Sequence, residues 1–436
     1  MNRRLNAAAI AVAWVCAQGA AHANPGPAPR DVPGCAEVRD PDAVVACALA
    51  VSPEVSEARA QLDATDGRRA TAAVVLPSNP TLAGTVSNRR RHEVPTSVLN
   101  WSVSLGQELE VGGQRAARID QADAERAARV AHLRVVEQEV AAGALIAFYE
   151  AVAAGEALTF ATELAATAGA LAAYAEGRAQ EALVAGIEAD VARAEATRMA
   201  VVRFEAERRQ IEAVAVLALL LAVPEARLQL PARLPSSQAG ESLPEGDRLA
   251  ERALTLRGEV AAAEAEQRVL ERRLAVVRRE RAPNPTLSLF AERGEVNDRI
   301  FGVGLAIPLP LPAPVGRTRA GEITEVLAQV RAAESSRELV RRRVLVDVAR
   351  ATAAYRARSG QAGLFAQDLL TRARADLTAL REALAARRLT LREGLQWQRS
   401  LIELLSADIE ARLARWTAEV DLRRVAGLPL TTTGGR

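Results

Sequence analysis

The chain repeats itself, and no other feature of the sequence restricts its fold as tightly. At an offset of 205, Ala48, Leu49, Glu54 and Val55 align with Ala253, Leu254, Glu259 and Val260. Without a gap, Asn79-Pro80-Thr81-Leu82 then falls on the identical Asn284-Pro285-Thr286-Leu287. The register returns where Ala222-Val223-Pro224 meets Gly427-Leu428-Pro429. Four consecutive identities at a register supported on both sides mark a duplication, two copies of one unit of about 200 residues. The boundaries follow: a first repeat over 24–223, a linker or collar over 224–246 rich in Pro, Ser and Gly, a second repeat over 247–429, and a tail over 430–436.

Each unit opens with a helix, 54–75 and 259–281, stopped by the Asn-Pro pair because the residue before proline resists the α region. The periodicity then changes. Trp101, Val103, Leu105 and Leu109 alternate with Ser102, Ser104, Gly106 and Glu108, which is the period-2 pattern of a strand with one apolar and one polar face. Phe301, Val303, Leu305 and Ile307 answer in the second unit, and Leu287, Leu289 and Ala291 give a shorter alternation after Asn284-Pro285. Each unit therefore holds two strands, of about 10 to 12 residues, joined by a polar loop. Between them the register falls from 205 to 200, which puts a length difference in that loop. Gly112-Gly113-Gln114-Arg115 in one unit, and alternating prolines from Pro308 to Pro314 followed by Gly316-Arg317 in the other, mark strand-to-helix junctions. Apolar residues then recur at threes and fours over 114–185, as continuous helix a span of ~100 Å. Breaks near Gly186 and around 390–394 fold each unit into a helical hairpin.

Composition agrees with thin helical seams rather than an enzyme core, since 49% of residues are hydrophobic but only 3% are aromatic. The 56 basic residues, all arginine, nearly cancel 54 acidic ones, which argues against a nucleic-acid binder driven by charge. Residues 1–23 read as a secretory signal: Arg3 and Arg4, an apolar stretch to Cys16, and Ala21-His22-Ala23 as the cleavage site. Two cysteines then remain, Cys35 and Cys47. An even count in an exported chain favours a disulfide over two buried thiols, worth roughly 3 kcal/mol if unstrained. The mature histidines, His92 and His132, lie far from the cysteines and from each other, so no metal site is expected. With no phosphate loop, nucleophile elbow or ligand cluster, neither catalysis nor a cofactor is expected.

After the signal, no uninterrupted apolar run reaches the roughly 20 residues of a membrane-spanning helix, so any crossing uses strands. Four strands cannot close a barrel, since the smallest membrane barrels use eight, and a membrane reading forces an oligomer. Trp101, Val103, Leu105, Phe301, Val303, Leu305 and Ile307 are then the lipid-facing set, with small and polar residues toward a wet lumen.

The order of helix, Asn-Pro, two strands, Gly-Gly-x-Arg, long helical hairpin and then a repeat of all of it resembles the TolC-type outer-membrane efflux proteins over the whole mature chain. Asn79-Pro80 with Leu109-Glu110-Val111-Gly112-Gly113-Gln114-Arg115, and Leu309-Pro310-Leu311, most resemble the CzcC-like branch, which serves heavy-metal cation efflux. The resemblance implies a mainly α protein with a small β part. It would form a homotrimer with a twelve-stranded outer-membrane β-barrel continuing into a periplasmic α-helical barrel, coupled to a periplasmic adaptor and an inner-membrane efflux pump. It also implies a periplasmic mouth at the hairpin turns, with acidic residues around the constriction. By position these are Asp190 and Glu393, with Glu188 as a neighbour, while Gln396 stands where some relatives carry another acid. A drug or type I secretion duct of the same fold, and a coiled-coil scaffold with no pore, stay open as alternatives. So does the reading of these acids as ordinary first-turn residues of a helix.

Overall fold

The computed structural model describes residues 35, 39–90, 97–183, 185–235, 246–293, 298–311, 314–316, 318–365, 372, 375, 379 and 391–430. The expected signal segment, residues 236–245 of the expected linker and residues 431–436 of the expected tail lie outside them. The elements run α1 (Pro41–Val51), α2 (Pro53–Ala72), β1 (Thr81–Arg90), β2 (Ser97–Glu108), α3 (Gln114–Gln180) and α4 (Gly186–Leu221). The series then recurs as α5 (Gly246–Leu256), α6 (Gly258–Arg279), β3 (Thr286–Arg293), β4 (Arg299–Ala306), α7 (Ala320–Gly363) and α8 (Leu391–Val425).

The opening of each unit is two helices where the sequence suggests one. Proline 53 supplies no N–H to continue α1, and Ser52 turns the chain, its hydroxyl accepting from Val55 N at 3.2 Å to cap α2. Asp40 caps α1 in the same way through Ala43 N at 2.8 Å. A disulfide joins Cys35 to Cys47 of α1. In the second unit Arg257 makes the corresponding break, and Gly258 lies so close to α3 that an added Cβ would stand 2.8 Å from Val135 Cγ2. The strands of the second unit are also shorter than expected, eight residues each. Ile307 stands one residue beyond β4, because Pro308 has no donor for the ladder.

At 67 residues, α3 is the spine of the molecule, ~100 Å long. Along its upper third, toward the strands, it packs against α2 and α6, with Arg69 Nε on Asp123 Oδ1 at 2.6 Å and Arg272 on Asp120 at 3.4 Å. Along its lower part it packs against α4 and α8. Thus α2 and α4 stack end to end on one side of α3, and α6 and α8 on the other, with α7 beyond them. A seam of buried alanines, among them Ala144, Ala151, Ala161 and Ala168, lets these backbones approach closely. One stretch of α3 is long and apolar enough to cross a membrane by composition, but 56% of it is buried inside the chain, where it forms the bundle core.

At mid-length a charged cluster is fully enclosed. Arg412 of α8, 6% exposed, holds Glu156 of α3 through 2.8 and 3.0 Å bonds and Asp408 at 2.8 Å. Glu156 also accepts from Leu234 N at 3.1 Å, Arg412 donates to Leu234 O at 3.2 Å, and Trp416 Nε1 donates to Pro235 O at 3.1 Å. This clamps the described part of the linker to both units. Burial opposes the Arg412 charge, but its bonds to Glu156 and Asp408 outweigh burial and hold the guanidinium protonated. Removing it strands two buried carboxylates. Arg412→Ala is expected to lose about 3–5 kcal/mol of stability, read as a lowered thermal unfolding midpoint in detergent, whereas Arg342→Ala on the exposed face of α7 should leave it unchanged.

Candidate functional site

The four strands form one antiparallel sheet in the order β1-β2-β3-β4, so β1 and β4 are its edges and have no strand beyond them among the described residues. Register decides which residues share a face. Leu82 lies opposite Leu105, Val86 opposite Trp101, Leu105 opposite Leu289, and Leu289 opposite Val303. The alternation of the separate strands therefore merges into one continuous apolar surface with Phe301, Val303 and Leu305 at the β4 edge. Among the described residues nothing covers it: Phe301 is 76% exposed, Val303 68% and Val86 73%.

Of the seven residues expected on this face, six lie in the sheet, and Ile307 lies just past it, 53% exposed. Leu82, Val86, Leu99, Leu287 and Leu289 belong to the same surface. For Leu82 the signal was present in its repeat mate Leu287, but β1, with Gly84 and Asn88 in the apolar positions, alternates weakly.

The opposite face is hydroxyl-rich. Thr85 and Ser102 hydroxyls meet at 2.6 Å, and Ser288 Oγ donates to Gly304 O at 3.3 Å. Gly302 and Gly304 are places where a neighbour leans in. A Cβ at Gly302 would stand 2.7 Å from Phe290 Cε1, and one at Gly304 would stand 2.5 Å from Ser288 Oγ. Phe290 therefore lies over Gly302, as the one aromatic ring of this face among the described residues.

Sheet and helices are joined by a polar knot that explains the Asn-Pro and Gly-Gly-Gln motifs. Gly113 takes a left-handed conformation (φ 75°), which favours glycine. Buried Gln114 accepts from Gly112 N at 2.8 Å and donates to Asn284 Oδ1 at 2.8 Å, and Asn284 in turn donates to Glu108 Oε1 at 2.8 Å. The Asn of the second unit thus fastens the strand-to-helix turn of the first.

At the far end Glu188 and Asp190 lie at the start of α4, both exposed, and Glu393 is exposed on the first turn of α8. Asp190 is 3.4 Å from Arg193, which also holds Glu176 at 2.8 Å. One further acid, not singled out in the sequence, ties the two hairpins together. Glu195 of α4, 5% exposed, forks onto Arg198 at 2.6 and 3.0 Å and reaches Arg399 of α8 at 3.4 Å. Its signal was its position in the stripe Ala189, Ala192, Glu195, Met199, where helical spacing buries a carboxylate among small and apolar residues. Asp190 lies five residues before Glu195 in α4, and Glu393 six before Arg399 in α8, about 7.5 and 9 Å along each helix. Among the described residues no group of three or more His, Cys, Asp or Glu converges as a metal site.

The hydrogen bond from Arg198 holds the Glu195 carboxyl below its ordinary 4.5, against the opposing effect of burial. A depressed carboxylate stabilises above its unfolded-state value and loses that contribution as pH falls through the lowered one. Spin labels at Val191 and Gln396 should accordingly keep one separation from neutral pH down to about 4.5 and move apart below it. In Glu195→Gln they should be apart at every pH.

No family model matches this sequence, and no curated protein matches it. Solved structures do share its fold. The outer-membrane channel OprN superposes with a TM-score of 0.72 at 18% identity, over 89% of this chain and 90% of that one. The outer membrane protein VceC from Vibrio cholerae gives 0.70 at 16% identity over 90% and 97%. The MtrE outer membrane channel from Neisseria gonorrhoeae, solved in its open state, gives 0.69 at 19% identity over 90% and 89%.

Proposed function

We propose that this chain is one protomer of a homotrimeric outer-membrane channel, which passively conducts substrate outward from an inner-membrane efflux pump and a periplasmic adaptor. The observation that carries the reading is the sheet. An uncovered apolar face backed by a hydroxyl-rich one, with both edges open, suits a wall between lipid and water that neighbouring copies complete. Twelve strands from three copies would form the barrel, and the helices would continue it as a periplasmic tube.

The helical flanks favour the same assembly. In the lower body the packing order α4, α3, α8, α7 leaves α4 outermost with exposed Val201, Phe204 and Ile211, and at the level of α5 and α6 the outer helix α7 carries exposed Leu339 and Val346. A neighbouring copy covers these residues in the proposed trimer. Native mass measurement in mild detergent should give three chains, and a stable inserted monomer would overturn the architecture. Val103→Arg and Val303→Arg should cost roughly 2–4 kcal/mol at mid-bilayer depth and block insertion. Ser104→Arg should insert, since that side chain meets water.

The transported class we propose is heavy-metal cations, on the resemblance of the strand-to-helix motifs to the CzcC-like branch. Asp190, near the start of α4, and Glu393, near the start of the described part of α8, would then form threefold carboxylate rings at the periplasmic mouth, with Glu188 close by. Arg193 is shared between Asp190 and Glu176, so part of that charge is already balanced. The Asp190→Asn, Glu393→Gln double variant should lose cation selectivity and block by multivalent cations in planar bilayers, while its trimer assembly stays intact. Selectivity and block equal to the parent would reduce both acids to ordinary first-turn residues.

A further inference from the structure

The trimeric reading says that edges meet, and the duplication says how. Within the chain, the β1–β2 hairpin sets Thr81 opposite Gly106, and the β3–β4 hairpin sets Thr286 opposite Ala306. Moving the first pair by 205 and 200 positions gives the second, so β3 stands for β1, and β4 for β2, residue by residue. The remaining ladder, β2 with β3, sets Glu108 opposite Thr286, Ser104 opposite Phe290 and Val103 opposite Ala291. Its counterpart joins β4 of one copy to β1 of the next.

We infer that this ladder between copies is antiparallel and places Val303 opposite Val86 of the next copy, so that residues 302–308 face residues 87–81. The inference rests on the trimeric channel reading and adds to it a single strand register. Gly304 then meets Thr85, and Ile307 meets Leu82.

Three observations support it independently of the counting. The faces agree: Val303 and Val86 both belong to the apolar surface, and Gly304 and Thr85 both belong to the hydroxyl-rich one, so a slip by one residue is excluded by burial. Next, the β2–β3 ladder ends with Leu109 N donating to Pro285 O at 2.9 Å. The equivalent pair is Leu309 and Pro80. Prolines at 308 and 310 remove the donors on either side, but Leu309, 80% exposed in the single chain, keeps its N–H at the position the ladder needs. Finally, the apolar side chains of the two edges are barer than those of the inner strands. Leu82 and Val303 are 72% and 68% exposed, against 43% for Val103 and 42% for Leu287.

Disulfide trapping in the full chain tests the register. Paired cysteines replace Val86 and Val303, or Thr85 and Gly304. Adjacent pairs alternate between the close and the wide spacing of an antiparallel ladder, so the two designs sample both. Matched residues lie about 4.5–5.5 Å apart at Cα, whereas a partner two positions along stands about 8 Å away, beyond the reach of a disulfide. Oxidation in membranes should therefore convert at least one matched pair to covalent trimer on a denaturing gel. Slipped controls, Val303→Cys with Gly84→Cys or with Asn88→Cys, should stay at least roughly fivefold lower in yield because of that distance. A slipped pair that crosslinks better than the matched ones, or no crosslinking in a protein whose native mass is three chains, overturns the register. A native mass of one chain would instead bring down the trimeric reading itself.

Discussion

Everything in this molecule is arranged around a sheet that cannot stand by itself. Four strands with one apolar face leave two rows of backbone N–H and C=O groups without partners and a wide apolar surface without cover. In lipid each such unmet group costs several kcal/mol, and in water the apolar face invites aggregation. The proposed trimer resolves both difficulties at once, since copies supply one another's edges and lipid covers the face. The long helices then have a geometric task. They must present the sheet at the correct angle and hold neighbouring sheets in register over a distance far exceeding the strands themselves.

Stiffness over that distance comes from end-to-end stacking against one continuous helix. Spine helix α3 spans both the level of α2 and α6 and the level of α4 and α8, so the joints in its neighbours never coincide with a joint in α3. At one of those joints and again below them, charge is buried rather than avoided. The Glu156–Arg412–Asp408 cluster pins the start of the linker to both units, and Arg257, 7% exposed, reaches Glu259 at 2.9 Å and Asp347 at 3.1 Å at the α5–α6 break. Buried ion pairs add little net stability over apolar packing, but each fixes one arrangement because its rearrangement would leave a charge unpaired. In a bundle of alanine seams, which can slide, that specificity is of more use than further apolar area.

At the far end the same device recurs with less burial around it. Glu195 joins α4 to α8 through Arg198 and Arg399, and the acids nearest the turns lie beyond it on exposed first turns. On the channel reading, the Glu195 bridge holds the hairpins together just inside the mouth, and Asp190 and Glu393 present charge at its rim. On that reading the residue that fixes the geometry and those that would face a passing ion are different residues, about one and a half helical turns apart.

Much of this was legible in the sequence alone. The duplication follows from the identities at an offset of 205, and the long helices and strand faces follow from periodicity, because a period of two or of 3.6 residues is written into the order of side chains. Trp101, Val103 and Leu105 could be assigned a face from that alone. The split between α1 and α2, the early end of β4 before Ile307, and the place of Leu82 and Val86 in the apolar surface required the tertiary structure. Weakly alternating strands acquire a face only from their partners' register. Glu195 and Arg412 escaped for a related reason: a charged residue on a helix looks solvated until a second helix, hundreds of residues away in the chain, closes over it. Sequence determines which surfaces each element offers, but which of those surfaces are covered, and by what, is decided only when distant segments pack.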